Sequence, residues 1–228
     1  MTSQKLKSTS CIYLKYLPVC PDESIKERVL EIWSALLKGN SEKFYPEISP
    51  FDLKMAWHNG AWWPLYVPQW YSPKVSQHVF DPYSFTHVLH GVVLYYLWFL
   101  LGFGPTGGFL VMFAFEFSWE LLENSESVIK RYRESSGTSG EYKGDSYQNI
   151  IGDLIVCELG YSISLLFNYV FGKFWLSIVF YIVVEVGLIL YMRDSLTITL
   201  FTLIKPNEGI SKWQAEGVEI ARKAETKQ

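Results

Sequence analysis

The sequence predicts an all-α, polytopic membrane helix bundle with four spanning helices and a cytoplasmic-side N-terminal segment. Three observations carry this. Aliphatic and aromatic residues are concentrated in 84–124 and 147–192, while residues 1–80 and 193–228 hold most of the charge; a soluble globule mixes the two along the chain. Aromatics reach 17%, with 9 Trp, 15 Tyr and 15 Phe, and Trp and Tyr favour the headgroup zone of a bilayer. Of 20 Lys and Arg, only Lys173 falls in a loop on the side opposite the N-terminus.

The chain divides into a polar and aromatic N-terminal segment, 1–83, a membrane domain, 84–204, and a polar tail, 205–228. Residues 1–20 lack acids and are rich in Ser, Thr and Lys. Lys15 interrupts their only apolar run, which excludes a good secretory signal and leaves a transit peptide open. Residues 22–38 read as an amphipathic helix, with Ile25, Val29, Ile32, Trp33, Leu36 and Leu37 at helical spacing and Gly39 as the stop. Residues 40–82 carry six prolines and cannot form a long helix. Their aromatics, among them Trp62, Trp63, Tyr66, Trp70 and Tyr71, suit either a segment lying on a membrane surface or a small soluble cap.

Four spans follow near 84–103, 106–124, 147–171 and 173–192, each about the ~20 residues that a ~30 Å hydrocarbon core requires. Gly104-Pro105-Thr106-Gly107 and Gly172-Lys173 are short turns, so each pair forms an antiparallel hairpin. A polar loop, 125–146, joins the hairpins. The run 195–204 is too short to span and reads as interfacial. The tail 207–228 reads as charged and solvated. The Lys and Arg distribution places both termini in the cytoplasm, or in the matrix of an organelle. A net charge of −3 demotes nucleic acid as a partner. Cys11, Cys20 and Cys157 form no CxxC pair, which argues against a disulfide framework and a zinc knuckle. No Walker loop, Rossmann glycine pattern or GxSxG elbow is present.

Ionisable residues in a span cost about 2.5–3.5 kcal/mol each, so their pattern carries information. His87 and His90 are spaced i, i+3; Glu116, Glu120 and Glu123 are spaced i, i+4, i+7; Asp145, Asn149 and Asp153 are spaced i, i+4, i+8. Each set makes one stripe on its helix. At about 1.5 Å of rise per residue, His87 and His90 lie roughly 5 and 9 Å from the cytoplasmic end. On the same scale Glu120 and Glu116 lie roughly 6 and 12 Å in, and Asn149 and Asp153 roughly 3 and 9 Å in. Three stripes at one depth converge on one buried site.

Two imidazoles with carboxylates suit a divalent metal, and nitrogen with oxygen favours Zn, Fe or Mn over Ca or Mg. The ion would offset carboxylate charges that otherwise repel one another. His87, His90, Glu116 and Asp153 are the candidate ligands, Glu120 the general base and Asp145 a second catalytic carboxylate or simply a helix N-cap. Glu123, Asn124 and Asn149 support them. Arg131 and Arg133 are candidate anion holders, or serve only an anionic membrane surface. Two other readings of the stripes compete: a hydrogen-bonded network that ties helices together, and a proton or substrate pathway. No HExxH or HxxxH pattern supports the two histidines on their own. His58 and His78 read as surface residues, and Cys157 as packing.

Several strings are distinctive: Ser76-Gln77-His78, then Asp81 and Tyr83-Ser84-Phe85-Thr86-His87-Val88-Leu89-His90-Gly91; Glu116-Phe117-Ser118-Trp119-Glu120-Leu121-Leu122-Glu123-Asn124-Ser125; Arg131-Tyr132-Arg133-Glu134; Gly144-Asp145-Ser146 with Asn149 and Asp153; and Arg193-Asp194-Ser195-Leu196-Thr197. Together they resemble an uncharacterised bacterial inner-membrane family, the domain-of-unknown-function family 2585, over about residues 57–213. The resemblance implies no particular activity. Its motif positions coincide with the stripes. The family pattern opens with a further spanning helix and a short cysteine motif, where this chain has a polar stretch, 1–56. A more distant likeness is to VanZ-like membrane proteins, in architecture only.

Two functional expectations follow. One is a metal-dependent hydrolase or transferase working on a lipid or lipid-linked substrate at the cytoplasmic or matrix leaflet of an inner membrane. The other is a non-catalytic accessory or assembly subunit of a membrane complex, with the lipid bilayer and membrane-protein partners or further copies of the chain around it. A small transporter is a third reading, for which four spans are few.

Overall fold

The computed structural model describes residues 12–14, 17–19, 58–72, 74–140 and 142–226. The helix expected over 22–38 lies outside them. The described chain is mostly helical: α1 (Ser84–Leu100), α2 (Pro105–Glu123), α3 (Glu126–Ser135), α4 (Tyr147–Leu165), α5 (Trp175–Met192), α6 (Leu196–Ile204) and α7 (Glu208–Glu225). Two small sheets precede them. β1 (Ile12–Leu14) and β2 (Leu17–Val19) pair antiparallel, and β3 (Ala61–Tyr66) and β4 (His78–Phe80) pair parallel. The strands are a departure from the all-α expectation. In the aromatic segment, backbone groups that prolines bar from a helix find partners across β3 and β4 instead.

The turns form where the sequence places them. Gly102 ends α1 at a positive φ of 77°, and Pro105 opens α2 at its first turn, where no N–H is needed. A π-helical turn, Leu166–Val170, extends α4 before the turn into α5. Two helices are long and apolar enough to cross a membrane: Tyr147–Val170, with mean hydropathy 1.8, and Trp175–Met192, with mean hydropathy 2.1. The sequence predicts four such spans. α1 has only 17 residues, and α2 carries Glu116, Glu120 and Glu123, which lower its hydropathy.

α1 packs chiefly along α4. The crossing depends on glycine. A Cβ on Gly91 would lie 1.9 Å from the carbonyl oxygen of Cys157, and one on Gly160 would lie 1.9 Å from that of Val88. Backbones can approach this closely only where side chains are absent. Beyond the crossing, Leu94, Tyr95, Trp98, Leu101, Met112, Cys157 and Tyr161 form an apolar core. Cys157 is fully buried there, with its thiol 3.4 Å from Met112 Sδ, and so acts as packing. On the other side of α1, Leu89 joins Trp70, Leu188, Met192 and Leu196, which ties the aromatic segment to α5 and α6.

The polar ends hold more structure than the sequence reading assigns them. The 125–146 stretch contains α3, capped by Ser125, whose Oγ accepts from Val128 N, and packed through Val128 and Tyr132 against Leu203 of α6. The 207–228 tail is largely α7, capped by Asn207. Gln214 is fully buried, and its Oε1 accepts from Gly137 N at 3.0 Å and Ser136 Oγ at 3.3 Å, which docks α7 on the loop after α3. α4 is capped by Ser146, whose Oγ accepts from Asn149 N; Asp145, expected as its cap, is engaged elsewhere. His78 is buried, with Nδ1 2.9 Å from Pro64 O, and is not a surface residue. His58 Nε2 lies 3.3 Å from Gly144 O, against the start of α4.

Candidate metal centre

Helical periodicity sets which side chains meet, and the Gly91–Gly160 crossing sets how closely. α1 contributes His87 and His90, α2 contributes Glu116 and Glu120, and α4 contributes Asp153. His87 Nδ1 is 2.6 Å from Glu116 Oε1, and His90 Nδ1 is 3.1 Å from the same oxygen. His87 Nδ1 is also 3.4 Å from Glu120 Oε1, and His87 Nε2 is 3.8 Å from Asp153 Oδ2. The imidazoles meet edge to face, with centroids 5.0 Å apart, and Trp119 packs on His90. His87, Glu116, Glu120 and Asp153 are all buried.

An ionised carboxylate accepts hydrogen bonds and cannot donate. With Glu116 Oε1 facing Nδ1 of both rings, an ionised Glu116 would draw the proton of each neutral imidazole to Nδ1 and leave Nε2 to present a lone pair. This is how a carboxylate prepares histidines to bind a metal. Potential ligand atoms form two overlapping triplets, His87–His90–Glu116 and His87–Glu120–Asp153, each with its atoms within 4.8 Å of one another. Ligands sharing a tetrahedral zinc stand about 3.3 Å apart. The 3.8 Å between His87 Nε2 and Asp153 is close to that spacing, whereas 2.6 Å is a hydrogen bond.

Several buried polar atoms here have no hydrogen-bond partner among the described residues: Glu116 Oε2, both oxygens of Glu120, Glu123 Oε2, Asp153 Oδ1 and Asn149 Nδ2. Buried polar groups are normally satisfied, and a cluster of orphans calls for an ion or water. His87, His90, Glu123, Asn149 and Asp153 line a cavity of about 840 Å³. Its walls include Trp70 and Tyr71 from the aromatic segment, Trp119 of α2, the loop after α3, and Val218 and Arg222 of α7.

The remaining expected residues are placed as follows. Asn124 holds Asp145 twice: its Nδ2 donates to Asp145 Oδ2 at 2.9 Å, and its Oδ1 accepts from Asp145 N at 2.6 Å. Tyr142 donates its hydroxyl to Asp145 Oδ2 at 2.8 Å. Burial, then the charge of Asp145, push the Tyr142 phenol well above its usual range, so it stays a donor. Asp145 lines the cavity beside this network. Arg133 lines the cavity as well, and its Nε donates to Tyr142 O. Arg131 turns elsewhere: its guanidinium donates to Leu203 O at 2.9 Å and Ile204 O at 3.3 Å, closing the C-terminus of α6. It is not among the cavity-lining residues.

A profile for the family described as "Protein of unknown function (DUF2585)" matches residues 54–216. The chain belongs to the DUF2585 family. The matched span contains every site residue above. Among curated relatives, a UPF0314 protein of Sphingopyxis alaskensis is 30% identical over 176 residues, covering 75% of this chain and 85% of its own. One of Agrobacterium fabrum is 34% identical over 152 residues, covering 66% and 74%. One of Rhizobium etli is 36% identical over 141 residues, covering 61% and 69%. No solved structure matches the chain.

The cavity also recruits Lys143 and Arg222, which lie outside the motif strings of the DUF2585 pattern, and Asp194 of the Arg193-Asp194-Ser195 string, none of which the sequence assigns a role. Asp194 is buried and accepts from Ser195 N, Thr199 Oγ1 and Thr138 Oγ1. Burial nonetheless raises its pKa from 3.8 to about 6. Between those values the folded chain binds more protons than the unfolded one, so stability falls as pH rises from about 4 to about 6. The full effect is about 3 kcal/mol. Asp194→Asn keeps the shape and the oxygen that accepts from Ser195 N and Thr199 Oγ1, and it is expected to remove this contribution, flattening the pH dependence of the thermal midpoint across that window.

Proposed function

We propose that the chain is a membrane-embedded, metal-dependent hydrolase or transferase acting on a lipid or lipid-linked substrate. The observation that carries this is the convergence of His87 with carboxylates from two other helices, with His87, His90 and Asp153 at the wall of a large cavity and Glu116 and Glu120 behind it. His87 and His90, through Nε2, and Asp153 would hold a divalent Zn, Fe or Mn ion. Glu116 would fix both rings, with its unpartnered Oε2 available as a further ligand. Bound there, the ion would act as a Lewis acid on a phosphoryl or carbonyl oxygen. Glu120, buried and without a hydrogen bond, would take the proton of the attacking nucleophile, and Asp145, held by Asn124 and Tyr142, would serve as the second carboxylate. Arg133 would hold an anionic part of the substrate.

The four-span arrangement is part of the proposal. α5 presents Ile178, Ile182, Val183 and Leu190 outward, and α2 presents Leu110 and Phe113, which suits lipid better than water. Trp62 and Trp63 of β3 are exposed, as residues in a headgroup zone would be. The Lys and Arg distribution supports both termini on the cytoplasmic or matrix side.

The test separates binding from turnover. Purified protein is assayed on a membrane-lipid extract before and after chelation. Chelation should abolish product formation, and one of Zn, Fe or Mn should restore it. Glu120→Gln should keep the metal and lose turnover by about 100-fold or more. Turnover indifferent to chelation, or a fully active Glu120→Gln, would refute the assignment.

A further inference from the structure

We infer that the mouth of the cavity is a binding site for a phosphate group, held by Arg133, Lys143 and Arg222, and that α7 is thereby part of the site. For its purpose the inference rests on the proposed reaction, since it names the substrate class; the binding itself is independent of it.

Three cations reach one cavity from three separate stretches: the last turn of α3, the loop before Gly144, and α7. All three are exposed, whereas of the acids that share the lining Asp145, Asp153 and Asp194 are buried and Glu123 is half-buried. Charge is therefore layered, with cations at the rim and carboxylates with imidazoles at the floor. The buried acids are not neutralised by the rim. Asp145 is satisfied by Asn124 and Tyr142, and Asp194 by Ser195, Thr138 and Thr199. Among the described residues, neither Arg133 nor Lys143 forms an ion pair.

The rim is also positioned. Arg133 Nε donates to Tyr142 O, and Arg222 Nη2 donates to Tyr71 O at 3.5 Å. Such anchoring sets the direction of each guanidinium. α7 is held at the rim by Gln214 on Gly137 and by Arg193, whose Nη1 donates to Trp213 O and whose guanidinium sits 5.4 Å from the Trp213 ring. A carboxylate is satisfied by a single Arg fork. Cations arriving from three directions fit a tetrahedral anion with several charged oxygens, which is a phosphate. Trp70 and Tyr71 beside it offer an apolar wall for the rest of an amphiphile, and about 840 Å³ is room for a headgroup with part of its chains.

The full chain, purified in detergent and stripped of metal with EDTA, is titrated by calorimetry with three probes. These are dihexanoyl phosphatidic acid, dihexanoyl phosphatidylcholine and inorganic phosphate. Phosphatidic acid should bind, and phosphatidylcholine should bind at least tenfold more weakly. Arg133→Ala and Arg222→Ala should each weaken phosphatidic acid by about tenfold, while Lys130→Ala, on the same α3 but paired with Glu134, should not. Inorganic phosphate binding as tightly as phosphatidic acid would support the site and identify free phosphate as its source. Absence of binding by both anions, equal binding of phosphatidylcholine, or indifference to Arg133→Ala and Arg222→Ala would overturn it. Because the protein is metal-free, the outcome does not depend on the proposed metal chemistry. Metal content, measured on unstripped samples, tests that separately.

Discussion

A Gly160→Leu chain is expected not to accumulate as a folded protein. A Cβ at this position would stand 1.9 Å from Val88 O and 2.8 Å from Val88 C. Both are backbone atoms, so no side-chain rotation relieves the clash, and α1 must move away from α4. Even Gly160→Ala should cost about 3 kcal/mol, the upper range for overpacking, and lower the thermal midpoint by roughly 10 °C. Gly91→Ala should behave alike, since its Cβ would meet Cys157 O at 1.9 Å and Tyr161 N at 2.7 Å. Gly187→Leu is the control: nothing lies within 4 Å of a Cβ there. Monodisperse yield in size-exclusion chromatography reads the leucine variants, and thermal unfolding in detergent reads the alanine ones. The effect extends to the site, because Val88 follows His87 directly. Separating α1 from α4 lengthens the contact between His87 Nε2 and Asp153.

His87→Ala is expected to lower metal affinity by at least 100-fold. His87 is the residue common to both ligand triplets, so no three-ligand set survives its removal. His90→Ala spares the His87–Glu120–Asp153 triplet, in which Glu120 would take the place of His90 on the ion, and should cost less, about tenfold. The metal-free protein should suffer as well. Without His87, Glu116 Oε1 keeps His90, whereas Glu120 loses the imidazole 3.4 Å away and Asp153 the one 3.8 Å away. Removing one partner of a buried charged group costs about 3–5 kcal/mol. His87→Gln, which restores a polar side chain of similar reach, should recover part of the stability but not the metal. That difference separates a binding site from a purely structural network.

The site was legible in the sequence because a helix converts spacing into direction. His87 and His90, Glu116 and Glu120, and Asp153 recur at helical intervals, and depth counting brought them to one level. The turns between α1 and α2 and between α4 and α5 are legible from Gly104-Pro105 and Gly172. The crossing that brings the stripes together was not, because Gly91 and Gly160 act by lacking a side chain, and a missing Cβ leaves no mark in a hydrophobic pattern. α3 carried its signals, Ser125 as cap, Glu126 in the first turn and Arg133 in the last, but the glycines and serines after it made the whole stretch read as loop. α7 reads as solvated because the residues it buries are Gln214, a polar side chain whose partners lie in a distant loop, and Gly217, which has no side chain. The roles of Arg131 and Arg133 could not be separated by spacing. Two residues apart on α3, they point to different places, one to the carbonyl end of α6 and one to the cavity. Two of the four expected spans are long and apolar enough to cross a membrane; α1 is shorter, and the glutamates that α2 brings to the cluster make it less apolar.

Metal content decides the account. The full chain, purified without chelator and without added metal, is analysed by elemental mass spectrometry beside its His87→Ala variant, with size-exclusion profiles to confirm that both are folded. About one equivalent of Zn, Fe or Mn per chain is expected in the parent protein and less than a tenth of that in the variant. A parent protein that is folded, metal-free, unable to take up any of the three ions, and co-purifying with a larger membrane assembly would contradict the account and leave the His–Glu–Asp cluster as the internal tie of an accessory subunit.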